Sequence, residues 1–501
     1  MTSTVTSTEP VKESMMISRP NILLILADDL GFGDVSCYNS EAKVQTRNVD
    51  RLATGGIRFT DAHSPSTVCT PTRYSLLTGQ MAFRLKYRGV FDGAGGPCLI
   101  PEDRLTLGGM LQDQGYHTAM FGKWHIGLTF SDHDGHPICQ NGQQAAKRID
   151  YSRAIPDAPI HRGFDRFWGT ACCPTTDWIY AFIDGDRVPV PPAGTIDRTR
   201  LPQHEWSFDC RGGMVASDFN HTEVDLAFLH KSLEFLDDHC KQHPDQPFFL
   251  FHSMQAVHLP SFPAQAYLGK SQAGPHGDFI FEFDDIVGQL LTKLDDLGVA
   301  DNTLVIVTSD NGPEVGTVLN MRQQYNHDGA RPWRGLKRDN WEGGHRVPLI
   351  VRWPGHLASG TIANQTVCLT DILATVADVL GFALPADAAE DSVSFLPVLN
   401  GSTMPIREYT LHQTISLALG IRKGKWKYLD HMGSGGNSYS NANLKALALP
   451  EKAPDAPGQL YDLEADPGEV NNLYLQEPLV AKELKGLLTQ AIESGRSAPI
   501  R

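Results

Sequence analysis

Three unbroken apolar runs constrain this chain most, because strands with no polar alternation must be buried on both faces. They are Asn21-Ile22-Leu23-Leu24-Ile25-Leu26-Ala27, Pro247-Phe248-Phe249-Leu250-Phe251 and Thr303-Leu304-Val305-Ile306-Val307-Thr308, the pattern of a parallel sheet. A weaker fourth, His117-Thr118-Ala119-Met120-Phe121, is read as a strand because Gly115 precedes it and Gly122 follows it. Between them, Asp285 to Leu297 sets Ile286, Val287, Leu290, Leu291 and Leu294 on one helical face and stops at Gly298; Val224, Phe228, Leu229, Leu233 and Leu236 make a second stripe. Strands alternating with helices imply right-handed crossovers. The expected fold class is α/β: a large mixed, mostly parallel sheet sandwiched by helices, with a smaller C-terminal α+β subdomain.

Ligands of such sheets collect at the carboxyl ends of the strands. The first run is followed by Asp28-Asp29 and the run from Thr303 by Asp310-Asn311-Gly312. The run ending at Phe121 leads into Gly122-Lys123-Trp124-His125, and the one ending at Phe251 into His252 and then His258-Leu259-Pro260. Two ends are thus acidic or amide and two are basic. Carboxylates with an amide oxygen suit a hard cation, calcium or magnesium, and the basic ends would hold an anion against it. Each residue alone has a plainer reading as a turn, cap or surface group. Their conjunction is what points to a site.

A further candidate is Cys69-Thr70-Pro71-Thr72-Arg73. Pro71 fits a first helical turn and Gly79 a helix end, so the spacing predicts a short helix starting near Cys69. Its unpaired N–H groups would face an anion, with Arg73 one turn on along the same side. Cys69 is the candidate nucleophile.

A formal net charge of −15 argues against a nucleic-acid partner, which needs basic surface. No apolar run approaches a membrane span. Met1 to Pro20 lacks the apolar core and cleavage site of a secretory signal, so a cytoplasmic location is expected, or a periplasmic or secreted one if a signal has been removed. The nine cysteines are odd in number and form no paired zinc spacing, which favours reduced thiols.

At these residues the chain resembles the type I, formylglycine-dependent sulfatases of the alkaline phosphatase superfamily. Cys69-x-Pro71-x-Arg73 with Ser75-Leu76-Leu77-Thr78-Gly79 is similar to the family's modification signature, and Gly122-Lys123-Trp124-His125-Ile126-Gly127 to its second. Further likenesses lie at Pro20 to Asp34, Gly163-Phe164-Asp165, Asp310-Asn311-Gly312, Gly335 to Pro348 and Leu460 to Pro467. The resemblance implies a hydrolase of sulfate monoesters, arylsulfatase-like or a carbohydrate exo-sulfatase. It implies that a formylglycine-generating enzyme oxidises Cys69 to an aldehyde before folding, and that the hydrated aldehyde attacks sulfur, its second hydroxyl later expelling sulfate. By the same resemblance Asp28, Asp29, Asp310, Asn311 and residue 69 bind one divalent cation, calcium or magnesium. Arg73 holds the ionised diol, Lys123, Lys337 and His258 bind the substrate, His125 assists collapse and His258 protonates the departing alcohol. The rival readings are a phosphonate monoester or phosphodiester hydrolase of the same superfamily and a silent anion-binding protein with an unmodified Cys69. Some family members carry a serine near the diol, where this chain has Ala171-Cys172-Cys173-Pro174; that role stays unassigned.

Residues 1–18, rich in Ser and Thr, read as disordered, 19–400 as the catalytic domain and 401–501 as the C-terminal unit. Leu384 to Asp391 and Asn400 to Pro405 mark the boundary region, Gly420 to Leu429 a hairpin around a Gly turn, and Val480 to Ile492 a terminal helix.

Overall fold

The computed structural model describes residues 19–93 and 95–500; the segment 1–18, read above as disordered, lies outside the described residues. Strands β1 (Asn21–Ala27), β2 (Ile57–Phe59), β3 (His117–Lys123), β4 (Arg166–Thr170), β5 (Ile183–Asp184), β6 (Phe248–Ser253), β7 (Thr303–Ser309), β8 (Leu349–Arg352) and β9 (Thr361–Ala363) form one nine-stranded sheet. Its order is β9-β2-β8-β7-β1-β6-β3-β4-β5. The central β7, β1, β6, β3 and β4 are mutually parallel, and β8 and β5 run against them on either side. The structure is therefore the mixed, mostly parallel α/β sheet expected.

Alternate residues of β1 enter opposite cores. Ile22, Leu24 and Leu26 pack with Tyr74, Leu76 and Leu77 of α1 (Cys69–Thr78), while Leu23, Ile25 and Ala27 pack with Leu229 and Leu236 of α2 (Val224–Gln242) and Phe279, Phe283 and Leu290 of α3 (Gly274–Asp296). Each fully buried Leu or Ile stabilises the fold by about 1.5–3 kcal/mol, which is why the runs lack polar residues. Helix α3 starts well before the expected Asp285. Its first turns carry Asp278, Glu282 and Asp284, which interrupt the apolar stripe yet are buried. Each accepts backbone N–H groups from neighbouring loops: Gly269 and Ser271 to Asp278, Ala264 to Glu282, Asn48 and Val49 to Asp284.

Strand β3 runs through Gly122 rather than stopping there. Gly122 has φ +125°, and a Cβ on it would lie 1.7 Å from the Ser253 carbonyl oxygen. Only glycine lets β3 and β6 approach at this point, and the approach delivers Lys123 to the sheet's carboxyl edge.

The C-terminal unit pairs β10 (Thr410–Gln413), β11 (Leu419–Lys423), β12 (Trp426–Leu429) and β13 (Gln459–Asp462) in antiparallel order, with Gly424 at φ +56° turning β11 into β12. Leu484 and Leu488 of α4 (Pro478–Glu493) cover Ile421, Tyr428 and Leu460. Two buried joints tie this unit to the large sheet. The Asp391 carboxylate, from the boundary segment, accepts from the N–H groups of Met81 and Ser497 and pairs with Arg84. Lys427 pairs with Glu342 at 3.0 Å and Glu469 at 2.9 Å and donates to His345 Nε2 at 3.0 Å, while Arg422 pairs with Asp61 at 2.5 Å. Among the described residues no helix is long and apolar enough to cross a membrane.

Candidate active site

The carboxyl ends of all five parallel strands converge. Because Ala27 is in register with Ser309, the residues that follow β1 and β7 emerge side by side. The Asp29 N–H donates to Asp310 Oδ1 at 3.2 Å, and Asn311 Nδ2 donates to Asp29 Oδ1 at 2.7 Å. Asp29 and His125 both hold a positive φ, 59° and 58°, an uncommon backbone state for residues other than glycine and one that turns both side chains sharply off their strands.

Cys69 opens α1, as the sequence predicts, and Gly79 closes it at φ +65° with its N–H on Ser75 O. Cys69 Sγ lies 3.4 Å from Asp28 Oδ1. Arg73, one turn on, is buried beneath the cluster. Its Nε donates to Asp310 Oδ2 at 2.9 Å, Nη2 to Asp28 Oδ2 at 3.2 Å, and Nη1 to Lys123 O and Ser253 Oγ at 3.0 and 2.6 Å. One guanidinium thus ties β1, β3, β6 and β7 together, which a point-charge lysine could not do.

Lys123 pairs with Asp28 Oδ2, and Lys337 Nζ sits 2.7 Å from the Asp29 carboxylate and 3.8 Å from Glu314, which Arg338 holds through two 2.7 Å bonds. His258 Nε2 lies 3.7 Å from Asp29 Oδ2, with its Nδ1 on the Leu259 carbonyl. His125 Nε2 donates to Phe91 O at 2.8 Å. Cys173 Sγ stands 3.8 Å from both His125 Nδ1 and His258 Nε2. Cys69 is 1% exposed and Lys123 fully buried, whereas His258 and Cys173 are 7% and Lys337 4% exposed; the last three define the mouth.

Charge decides the protonation states. Burial alone would raise Asp28, but Lys123, His258, Arg73 and Lys337 outweigh it and hold the carboxyl well below the usual range. For Asp29 burial wins over Lys337 and His258, and the pKa is raised. Burial would depress His258, as would Lys337, yet Asp29, Cys173 and Asp28 lift it to about 9. Burial, then Asp28 and Asp310, push the Cys69 thiol well up, so the encoded thiol is a poor nucleophile here.

The arrangement fits a divalent cation. Asn311 Oδ1 is buried with no hydrogen-bond partner, an acceptor left open among three carboxylates. Ligand atoms of Asp28, Asp29, Cys69 and His258 all lie within 4.8 Å of one another. Oxygen donors of this kind suit calcium or magnesium. The structure brings together every site residue named from the sequence: Asp28, Asp29, Cys69, Arg73, Lys123, His125, His258, Asp310, Asn311 and Lys337. Sequence reasoning missed Ser253, Glu314 and Arg338, and it marked the loop containing Cys173 without assigning that residue a role. Ser253 could have been found as the last residue of a strand whose neighbours all end in site residues; Glu314 and Arg338 carry no local signal.

The sulfatase family model matches residues 20–382. The chain is 34% identical over 500 residues to an N-acetylgalactosamine-6-O-sulfatase of Bacteroides thetaiotaomicron, covering 94% of this chain and 92% of that one. It is 32% identical over 476 residues to human arylsulfatase A, covering 91% and 83%. A solved structure from work on glycosaminoglycan metabolism by Bacteroides thetaiotaomicron superposes with a TM-score of 0.80 at 29% identity, covering 95% of this chain and 100% of that one.

Proposed function

The chain belongs to the sulfatase family and hydrolyses sulfate esters, and from that premise we propose that its substrate is a sulfated saccharide and that the ten converging residues are its active site. The observation that carries the site is Cys69 Sγ, 3.4 Å from Asp28 and ringed by Lys123, Lys337 and His258. The likeness over nearly the full chain to a sulfatase of N-acetylgalactosamine 6-sulfate groups supports the saccharide.

Residue 69, converted to formylglycine by a formylglycine-generating enzyme, supplies as its hydrate one hydroxyl to attack sulfur and a second whose deprotonation expels sulfate. Asp28, Asp29, Asp310, Asn311 and residue 69 would hold a divalent cation, calcium or magnesium, which would supply positive charge against the sulfate oxygens. Lys337, at the mouth, and Lys123, beneath it, hold those oxygens as negative charge grows on them. Arg73 fixes the carboxylates from below and keeps residue 69 in place. His258, whose Nδ1 is committed to the Leu259 carbonyl, presents Nε2 to the ester oxygen and protonates it; a sugar alkoxide leaves poorly without that proton. His125 accepts the proton released when sulfate is expelled.

Steady-state rates on N-acetylgalactosamine 6-sulfate, its 4-sulfate isomer, an aryl sulfate and a matched aryl phosphodiester test the reading. Hydrolysis of a saccharide sulfate is expected. Turnover of the aryl sulfate with none of the saccharides would overturn the substrate, and preference for the diester would overturn the site chemistry.

A further inference from the structure

Cys173 is the one residue at the mouth that the reaction above does not use. Its sulfur is 3.8 Å from His125 Nδ1 and 3.8 Å from His258 Nε2. The opposite nitrogen of each ring is committed to a backbone carbonyl, His125 Nε2 to Phe91 and His258 Nδ1 to Leu259. A carbonyl only accepts, so those nitrogens carry the fixed protons; Nε2 of His258 holds the proton it gives the ester oxygen, and Nδ1 of His125 is the nitrogen facing the sulfur that is free to take the thiol proton. Maturation removes the thiol of Cys69, which leaves Cys173 as the thiol facing the reacting atoms. Its neighbour Cys172 faces away, toward the Gly93 carbonyl at 3.8 Å.

We propose that Cys173 is an oxidation site built into this active centre: a peroxide converts its thiol to a sulfenic acid between His125 and His258 and stops desulfation, and a dithiol restores it. The proposal rests on the reading of those histidines as the acid and base of the reaction. In the step, the thiol proton passes to His125 Nδ1, the Cys173 sulfur attacks one peroxide oxygen, the S–O bond forms as the O–O bond breaks, and the departing hydroxide takes that proton from the imidazole and leaves as water. Two electrons pass from sulfur to the peroxide. For reversal, one thiol of the dithiol attacks the sulfenic sulfur and water departs; the second thiol then attacks the mixed disulfide, freeing Cys173 and closing the cyclic disulfide. The added oxygen must occupy the gap between the two imidazoles, the space through which His258 reaches the ester oxygen.

The surroundings separate Cys173 from the other thiols. Burial pushes Cys37 and Cys98 up to about 12 and Cys172 well above the usual range. Cys173 is as buried, yet Lys123, His125 and His258 outweigh burial and draw it well down. Thiolate character at an accessible mouth is the condition for reaction with peroxides.

Mature enzyme is exposed to hydrogen peroxide with dimedone as the sulfenic acid trap, and aryl sulfate hydrolysis is compared with peptide mass spectrometry. Activity should fall about tenfold or more in step with dimedone on Cys173, not with labelling of the exposed Cys139. Without dimedone, dithiothreitol should restore activity. Saturating inorganic sulfate should slow labelling of Cys173 and leave Cys139 unaffected. Cys173→Ser should keep its own starting rate through the same exposure. Inactivation of Cys173→Ser at the wild-type rate, or full labelling of Cys173 with activity intact, would overturn the proposal. Should Cys173→Ser fold poorly by thermal melting, the wild-type match of label to activity decides alone. Protein that hydrolyses no sulfate ester before peroxide is added refutes the active-site reading and, with it, this proposal.

Discussion

The molecule buries two ionic clusters of the same make-up. Asp28, Asp29 and Asp310 meet Arg73, Lys123 and Lys337 at the strand ends; Asp61, Glu342 and Glu469 meet Arg346, Arg422 and Lys427 where the C-terminal sheet joins the large one. Each contains a set of side chains whose ligand atoms lie within 4.8 Å of one another, Asp28, Asp29, Cys69 and His258 in the first and His63, His345 and His412 in the second. Composition and spacing therefore do not tell a site from a joint. Orientation does. In the joint the imidazole nitrogens of His345 and His63 are already engaged: Lys427 donates to His345 Nε2 at 3.0 Å, His345 Nδ1 donates to His63 Nδ1 at 3.0 Å, and His63 Nε2 donates to Asp61 Oδ1 at 2.9 Å. Both clusters leave a buried acceptor open, Asn311 Oδ1 in the site and His412 Nε2 in the joint, but the site's is a hard oxygen set among three carboxylates and the joint's an imidazole nitrogen.

The contrast breaks if either cluster behaves like the other. Cys69→Ala should lower kcat by about 10⁴-fold or more with an unshifted thermal melting curve; residual turnover near wild type would remove residue 69 from the chemistry. His258→Ala should cost about 10²–10⁴-fold on a saccharide sulfate and far less on an activated aryl sulfate, whose phenolate leaves unaided. Equal losses on the two substrates would refute proton donation. Lys427→Met should do the reverse of both. It leaves Glu469 in the interior without its cation, Glu342 keeping Arg346, and should cost about 3–5 kcal/mol of stability, read as a lowered denaturation midpoint, while kcat per folded molecule holds.

The smallest effect concerns Glu469. Burial, with Glu342 adding to it, outweighs Lys427 and raises its pKa to about 7. A carboxyl raised on folding binds its proton more tightly in the native state, so its contribution is complete below the unfolded value near 4.5 and is lost as pH rises through about 7. The melting temperature should fall across that window, and Glu469→Gln should flatten the fall. An unchanged slope in the variant would place the proton elsewhere.

The same contrast explains what the sequence could reveal. β1, β6 and β7 were legible because double-sided burial forbids polar residues, and the site was legible because each of its groups follows such a run. Short strands such as β2, β5 and β9, of two or three residues, are set by their neighbours and have no pattern of their own. The joint was invisible for a related reason. Its members, from Asp61 to Glu469, lie on many separate segments, and nothing local distinguishes them from surface charges until the chain has folded. Arg73 was expected to face an anion beside Cys69; only the register of β1 and β7 shows how many carboxylates and carbonyls claim it first.

Cys69, 1% exposed at the head of α1, has a consequence in time rather than in space. Another protein's active centre cannot reach a sulfur enclosed by Asp28 and the first turn of a packed helix, so any enzyme-made change at this residue must be finished before β1 and α1 close over it. On the proposed conversion of residue 69, the specific activity of a preparation would record a race between two clocks, modification and folding. A variant that folds faster would come out more stable, better expressed and less active, with every catalytic side chain in place.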